Sequence, residues 1–193
     1  MGKTSWIIII VVAIAAILSI SKYNTMVGLQ ESVGEQWANV ETQYQRRADL
    51  IPNLVKTVKG YAAHEKDVFE SVTKARASAT SITIDPSNLT AANMQRFQSV
   101  QGSLNSALSR LLAVSENYPE LKANQNFLEL QAQLEGTENR IAIERRRFNE
   151  QIKKYNTYIR KFPTNLVASM FGFERQAAFG ADVGAEKAPE VEF

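Results

Sequence analysis

The chain has 193 residues, 45% of them hydrophobic and 22% charged, with a formal charge of +2; that suffices for one domain with its own core and is too little charge to point to nucleic acid. It contains no cysteine, which excludes a disulfide framework, a thiol nucleophile and a thiolate metal site while leaving the compartment open. Five prolines and nine glycines, mostly outside the periodic segments, favour long helices over many short strands.

The first element is TSWIIIIVVAIAAILSIS, residues 4–21, apolar and uncharged throughout. At about 1.5 Å per residue it reaches roughly 27 Å, close to the hydrocarbon thickness of a bilayer. Trp6, Ile7, Ile8, Ile9, Ile10, Val11, Val12, Ile14, Ile17, Leu18 and Ile20 are the predicted anchor, with Trp6 and Tyr23 where interfacial aromatics belong. The competing reading is a cleaved secretory signal, with Lys3 as its basic start and Ser19-Ile20-Ser21 as a loose cleavage site. Helical periodicity that continues through Lys22 and Tyr23 favours the uncleaved anchor. Lys3 and Lys22 nearly balance across the span, and the amino terminus tips orientation toward N-in, C-out.

Four helical stripes follow, each at three-four spacing with polar flanks. The first runs from Tyr23 through Val33, Trp37 and Val40 to Tyr44; the second takes Ile51, Leu54, Val58, Tyr61, Val68, Val72, Ala75 and Ala79. The third runs from Met94 through Phe97, Leu104 and Leu111 to Tyr118, and the fourth from Phe127 through Ile141, Phe148 and Tyr155 to Phe162. In RRADLIPN, Asp49 is the expected N-cap of the second helix, Pro52 falls in its first turn, and Arg46 and Arg47 suit the end of the first. A bent continuous helix is the alternative. Asp85-Pro86-Ser87-Asn88 reads as a loop, Thr90 as the cap of the third helix, and Tyr118-Pro119 and Phe162-Pro163 as later breaks. Short loops make successive helices antiparallel. The expected fold is all-α: an N-terminal transmembrane helix (1–21) continuing into an antiparallel up-and-down four-helix bundle (22–162), then an apolar segment and an acidic tail (163–193).

Catalytic chemistry has little to work with. His64, the sole histidine, begins an H-E-x-x-H, but Val68 stands where the second histidine belongs. Tyr61 replaces the glutamate of a Glu-x-x-His di-iron ligand pair, and neither a G-x-S-x-G elbow nor a phosphate-binding glycine loop occurs. Glu65, Asp67 and Glu70 read as a solvated face. No catalytic, cofactor-binding or metal residues are expected.

Charge says more. Arg140, Arg145, Arg146, Arg147, Lys153, Lys154, Arg160 and Lys161 are opposed between 140 and 161 by Glu144 and Glu150 alone. If the fourth helix descends toward the bilayer, the last seven of these basic residues meet lipid headgroups or an acidic partner; otherwise they cover an ordinary wet face. Beyond Pro163, Leu166, Val167, Met170, Phe171, Phe173 and Phe179 read as exposed, with Met170, Phe171, Phe173 and Phe179 as the predicted apolar contact. They could pack back on the bundle, lie in the membrane interface or join another copy. Asp182 to Phe193 reads as a flexible or docking acidic tail.

The combination of a short N-terminal span, KYN at 22–24, RRADLIPNLVKTVKGYAAHE and ERRRFNEQIKKYN resembles the LemA family of bacterial membrane proteins. So do the FP at 162–163, MFGFE and the PEVEF ending, where Glu190 and Glu192 replace the basic or aspartate residues common there. The resemblance implies an up-and-down helical bundle and a bacterial membrane location. It supplies no reaction and no catalytic residues. Two functions are weighed above an enzyme: a non-enzymatic anchored scaffold that self-associates and organises or shapes the membrane, and an adaptor presenting its bundle or tail to a membrane protease or sensor. The expected partners are the lipid bilayer, further copies of the chain and a protein partner. The expected location is the bacterial cytoplasmic membrane, single-pass, with the bundle on the extracytoplasmic side.

Overall fold

Residues 2–180 are described by the structure, a computed structural model, and among them all regular structure is helical. Helix α1 runs unbroken from Lys3–Lys59, followed by α2 (Lys66–Ser81), α3 (Ala91–Val114), the short α4 (Pro119–Lys122), α5 (Gln125–Arg160) and α6 (Thr164–Phe171). A single 3-10 turn, Ser115–Asn117, bends the chain from α3 into α4.

The largest departure from expectation lies in RRADLIPN. It is not a corner: α1 passes straight through it, and the chain turns instead at residues 60–65. Asp49 caps nothing; it is an exposed mid-helix residue whose carboxylate accepts from Gln45 Nε2 at 2.8 Å. Pro52 therefore sits in a helix interior, where the missing N–H strands the carbonyl of Ala48. Arg76 of α2 supplies the replacement, its Nε donating to Ala48 O at 2.8 Å. The second predicted stripe is thus split, with Ile51, Leu54 and Val58 on α1 and Val72 and Ala79 on α2. Arg46 is exposed, whereas Arg47, expected at a helix end, is 2% exposed inside the bundle.

Side-chain contacts set the direction of each helix. At the end far from the apolar segment, Tyr118 Oη approaches Glu65 at 3.4 Å and Asn124 Nδ2 donates to Tyr61 Oη at 2.9 Å. Midway, Arg47 meets Glu138 of α5 and Gln101 of α3. At the near end, Lys22 lies 5.7 Å from the Tyr158 ring centroid. Hence α5 runs back along α1 toward the apolar segment, and α2 and α3 fill the remaining two sides of the upper part. Thr90 and Asn124 cap α3 and α5, accepting from Asn93 N and Phe127 N.

Two apolar clusters make the core. The upper one joins Ile51, Leu54, Val58, Phe69, Val72, Leu104, Leu111, Leu121 and Phe127. The lower one joins Met26, Trp37, Phe97, Phe148, Ile152 and Tyr155, with Val167 and Phe179 from beyond α5. Arg47 lies at the seam. Its guanidinium donates to Glu138 Oε1 at 2.6 Å and Gln101 Oε1 at 2.7 Å, and covers the Tyr44 ring at 5.0 Å. Gln101 in turn reaches Ala79 O at 3.4 Å, so one polar knot touches all four long helices.

Candidate membrane-facing site

The first turns of α1 hold the predicted anchor, and the structure leaves it bare. Trp6, Ile7 to Val12, Ile14, Ile17, Leu18 and Ile20 are all exposed, and none packs on the rest of the chain. The helix is long and apolar enough to cross a membrane, with a mean hydropathy of 2.3 over its most apolar stretch. At its exit, Tyr23 is boxed by Phe171 and Phe173 at ring-centroid distances of 5.0 and 5.5 Å.

Those two rings come from α6 and the residue pair that follows it. Helix α5 ends at Arg160, the Phe162–Pro163 peptide is cis, and α6 begins at Thr164. Its buried face is Thr164, Val167 and Ala168, set against α1 and α5. Its other face is apolar as well: Leu166, Met170 and Phe171 are 58%, 77% and 53% exposed, and Phe162, just before the helix, is 81% exposed. Gly172, at φ 73°, turns the chain out of α6; a side chain there would be strained in the left-handed region.

Residues 173–180 then return up the bundle as an extended strap. Two asparagines of α5 hold it by both amide atoms. Asn156 Nδ2 donates to Gln176 O at 2.8 Å while its Oδ1 accepts from Gln176 N at 3.0 Å. Asn149 repeats the pattern on Phe179 at 3.1 and 2.9 Å. Tyr155 Oη donates to Glu174 O and Ala177 N to Leu89 O, at 3.0 and 2.7 Å. Burial, with the Glu174 carboxylate nearby, pushes the Tyr155 phenol up, so it keeps the proton it donates.

The strap ends on a ring. Phe179, predicted to be exposed, is 6% exposed and sits 5.9, 5.4 and 6.3 Å from Trp37, Phe148 and Phe97. Phe173 is half-buried against the same core and Val167 is buried. The physical reason is the short α2: it stops at Ser81, and below it the groove on α1 and α5 is filled by the 82–90 loop and the strap. Of the predicted apolar contact, Met170 and Phe171 remain at the surface, joined by Phe162 and Leu166, which belonged to other groupings.

The basic stretch divides in the same way. Arg145 covers the Phe179 ring at 4.9 Å and donates to Gly180 O at 3.2 Å, while Arg147 pairs with Glu144 at 2.8 Å. Arg146 and Lys153 flank Phe179 on the outer surface. Arg145 lies about 20 Å up α5 from Tyr158 at 1.5 Å per residue, well away from the foot of the bundle. Arg160 and Lys161 sit at that foot, exposed, with Lys154 a turn and a half above them. The acidic tail, 182–193, lies outside the described residues.

His64 is exposed in the turn after α1, and among the described residues no three His, Cys, Asp or Glu side chains gather where they could hold a metal ion. A cleft of about 900 Å³ runs beside α1 between Ala38 and Leu50, walled by Ala79, Ile82, Phe97 and Gln101. Burial pushes the Glu41 carboxyl, at its edge, above the ordinary range.

Fold and site define an all-helical protein whose longest helix carries a bare apolar segment long enough for a bilayer. The chain belongs to the LemA family, whose profile matches residues 36–193. It is 30% identical over 186 residues to magnetosome protein MamQ 2 of Paramagnetospirillum magneticum, covering 88% of this chain and 68% of that protein. It is 27% identical over 175 residues to MamQ of Magnetospirillum gryphiswaldense (82% and 64% covered) and 22% identical over 173 residues to protein LemA of Metamycoplasma hominis (90% and 75%).

Proposed function

We propose that the protein is a non-enzymatic, single-pass membrane protein whose helical domain self-associates and organises or shapes the bilayer. The observation that supports the membrane part of this reading is the bare apolar segment of α1, continuous with the core helix of the bundle. Nothing else in the described chain covers it, and water is a poor solvent for so large an apolar surface. The similar proteins support it coarsely: their names assign two of them to magnetosomes and name no reaction. The location is the bacterial cytoplasmic membrane, with the domain on the outer side.

A second reading has its own observation. The strap fixes Gly180, the last described residue, against Arg145 at a defined point well above the foot of the bundle. An adaptor would use that point to present an acidic peptide to a protein partner. Full-length protein extracted in mild detergent separates the two. Light scattering and negative-stain images of a large, closed particle, with reshaped vesicles on reconstitution, support the scaffold. A monomer that leaves vesicles unchanged overturns it. A pull-down lost on deleting 181–193 then supports the adaptor.

A further inference from the structure

We propose that α6 is a second membrane contact: a shallow amphipathic foot that lies in the headgroup layer beside the span. This rests on the anchored reading of α1 and goes beyond it, because a span alone needs no second foothold.

Both ends of α6 are held at the level where the span emerges. Its start follows Arg160, a half-turn of α5 beyond the Tyr158 that meets Lys22. Its end is Phe171, in contact with Tyr23. A helix with both ends at one height crosses the foot of the bundle, parallel to the membrane plane. One face, Thr164, Val167 and Ala168, is buried against the bundle. The opposite side carries Leu166 and Met170, four residues apart and 58% and 77% exposed, and Phe162, just before the helix, is 81% exposed. Four-residue spacing puts Leu166 and Met170 on one line along the helix, with Phe162 exposed just before its first turn.

The surroundings say what covers that line. Lys22, Arg160 and Lys161 are at the same end of the bundle, a basic collar around an apolar row. Apolar side chains below and cations around them suit the boundary between acyl chains and anionic headgroups. A second copy of the chain would have to bring acidic groups to the same place. Phe171 of the foot lies 5.0 Å, ring to ring, from Tyr23, the neighbour of the first charged residue after the span, so a membrane reaches it without any rearrangement. An eight-residue helix sunk on one side of the span displaces headgroups in one leaflet only, which is the asymmetry that curvature requires.

The absence of cysteine makes the test direct. In the full-length chain, Met170→Cys is labelled with an environment-sensitive fluorophore and reconstituted in vesicles containing phosphatidylglycerol and lipids brominated at shallow or deep acyl positions. Leu128→Cys, exposed near the start of α5, serves as the control about 45 Å up that helix. Flotation of the vesicles reads anchoring independently. The expected result is blue-shifted emission at 170, quenched several-fold more by shallow than by deep bromines, with no quenching at 128. Replacing Leu166 and Phe162 by glutamate should abolish the quenching while the chain still floats. Co-flotation without quenching at 170 overturns the foot and leaves the anchor intact. Blue-shifted emission with no quenching, in particles larger than one chain, overturns it in favour of a contact between copies. A chain that fails to float overturns both readings.

Discussion

Three residues show how far apart in the chain the partners of one side chain lie. Pro52 inside a helix ordinarily costs about 3 kcal/mol through a lost hydrogen bond and a ring clash, yet α1 runs through it because Arg76 donates to the stranded Ala48 carbonyl. Arg76→Leu should therefore lower stability by about 1–3 kcal/mol in the natural chain. In a Pro52→Ala background, where the amide of residue 52 returns to that carbonyl, the same change should cost clearly less. Thermal unfolding of the four chains gives the coupling, and equal costs in both backgrounds would show that the contact does not compensate the proline. Glu41 supplies a pH signature. Its carboxyl is raised by burial in the fold, so the fold is penalised once the group ionises. The protonated form's stability is fully present below the unfolded-state value and is lost as pH rises through the folded one. Glu41→Gln should raise the melting temperature at pH 7, and the gain should vanish in acid, below the ordinary glutamate range. A gain of equal size at both pH values contradicts the assignment.

At the scale of elements, the strap is the part that single-sequence reading missed and that a local experiment can isolate. Asn149 and Asn156 are seven apart, two helical turns, so they share a face of α5, and each satisfies an N–H and a C=O of the strap. Asn156→Ala leaves those two backbone groups of Gln176 without that partner, and at about 1–3 kcal/mol it should speed tryptic cleavage after Arg175 by roughly 5- to 150-fold. An unchanged cleavage rate would mean that Phe179 holds the strap unaided. The stripes of α3 and α5, the cap Thr90 and the apolar start of α1 all left local marks, because burial recurs every three or four residues along one helix and a cap sits beside the helix it closes. The α1 register itself was legible past Pro52: Val33, Trp37, Val40, Tyr44, Arg47, Ile51, Leu54 and Val58 step by three and four without a break. Local rules placed a cap and a turn there because Arg76, which rescues the proline, comes from another helix. The strap had no periodicity to read. Phe179 is buried only because Trp37, Phe97 and Phe148, from three helices, leave a ring-sized place for it.

For the whole molecule, the continuity of α1 has a mechanical consequence. The same helix is both the apolar segment and the main contact of α5, so the bundle has no linker on which to swing. From Lys22 to Lys59 it rises about 57 Å at 1.5 Å per residue, and α5 lies along most of that length. Gly28 is a candidate hinge, but its neighbours Met26 and Val33 are fully buried in the lower core, which braces the helix there. The proposed foot would add a second point of support beside the span. Reconstituted protein imaged by cryo-electron microscopy should therefore stand as a rod about 55–60 Å tall, since a tilt of about 20°, ordinary for a spanning helix, shortens it by only a few ångströms. Inserting Gly-Ser-Gly-Ser between Ser21 and Lys22 should leave the bundle folded and the vesicles afloat. It should also broaden the distribution of heights downward. With the foot also removed by the glutamate changes at 162 and 166, the rod should lie at every angle. A broad distribution in the unaltered chain would mean that α1 bends at the membrane surface, and that the rigid coupling of span to bundle is absent.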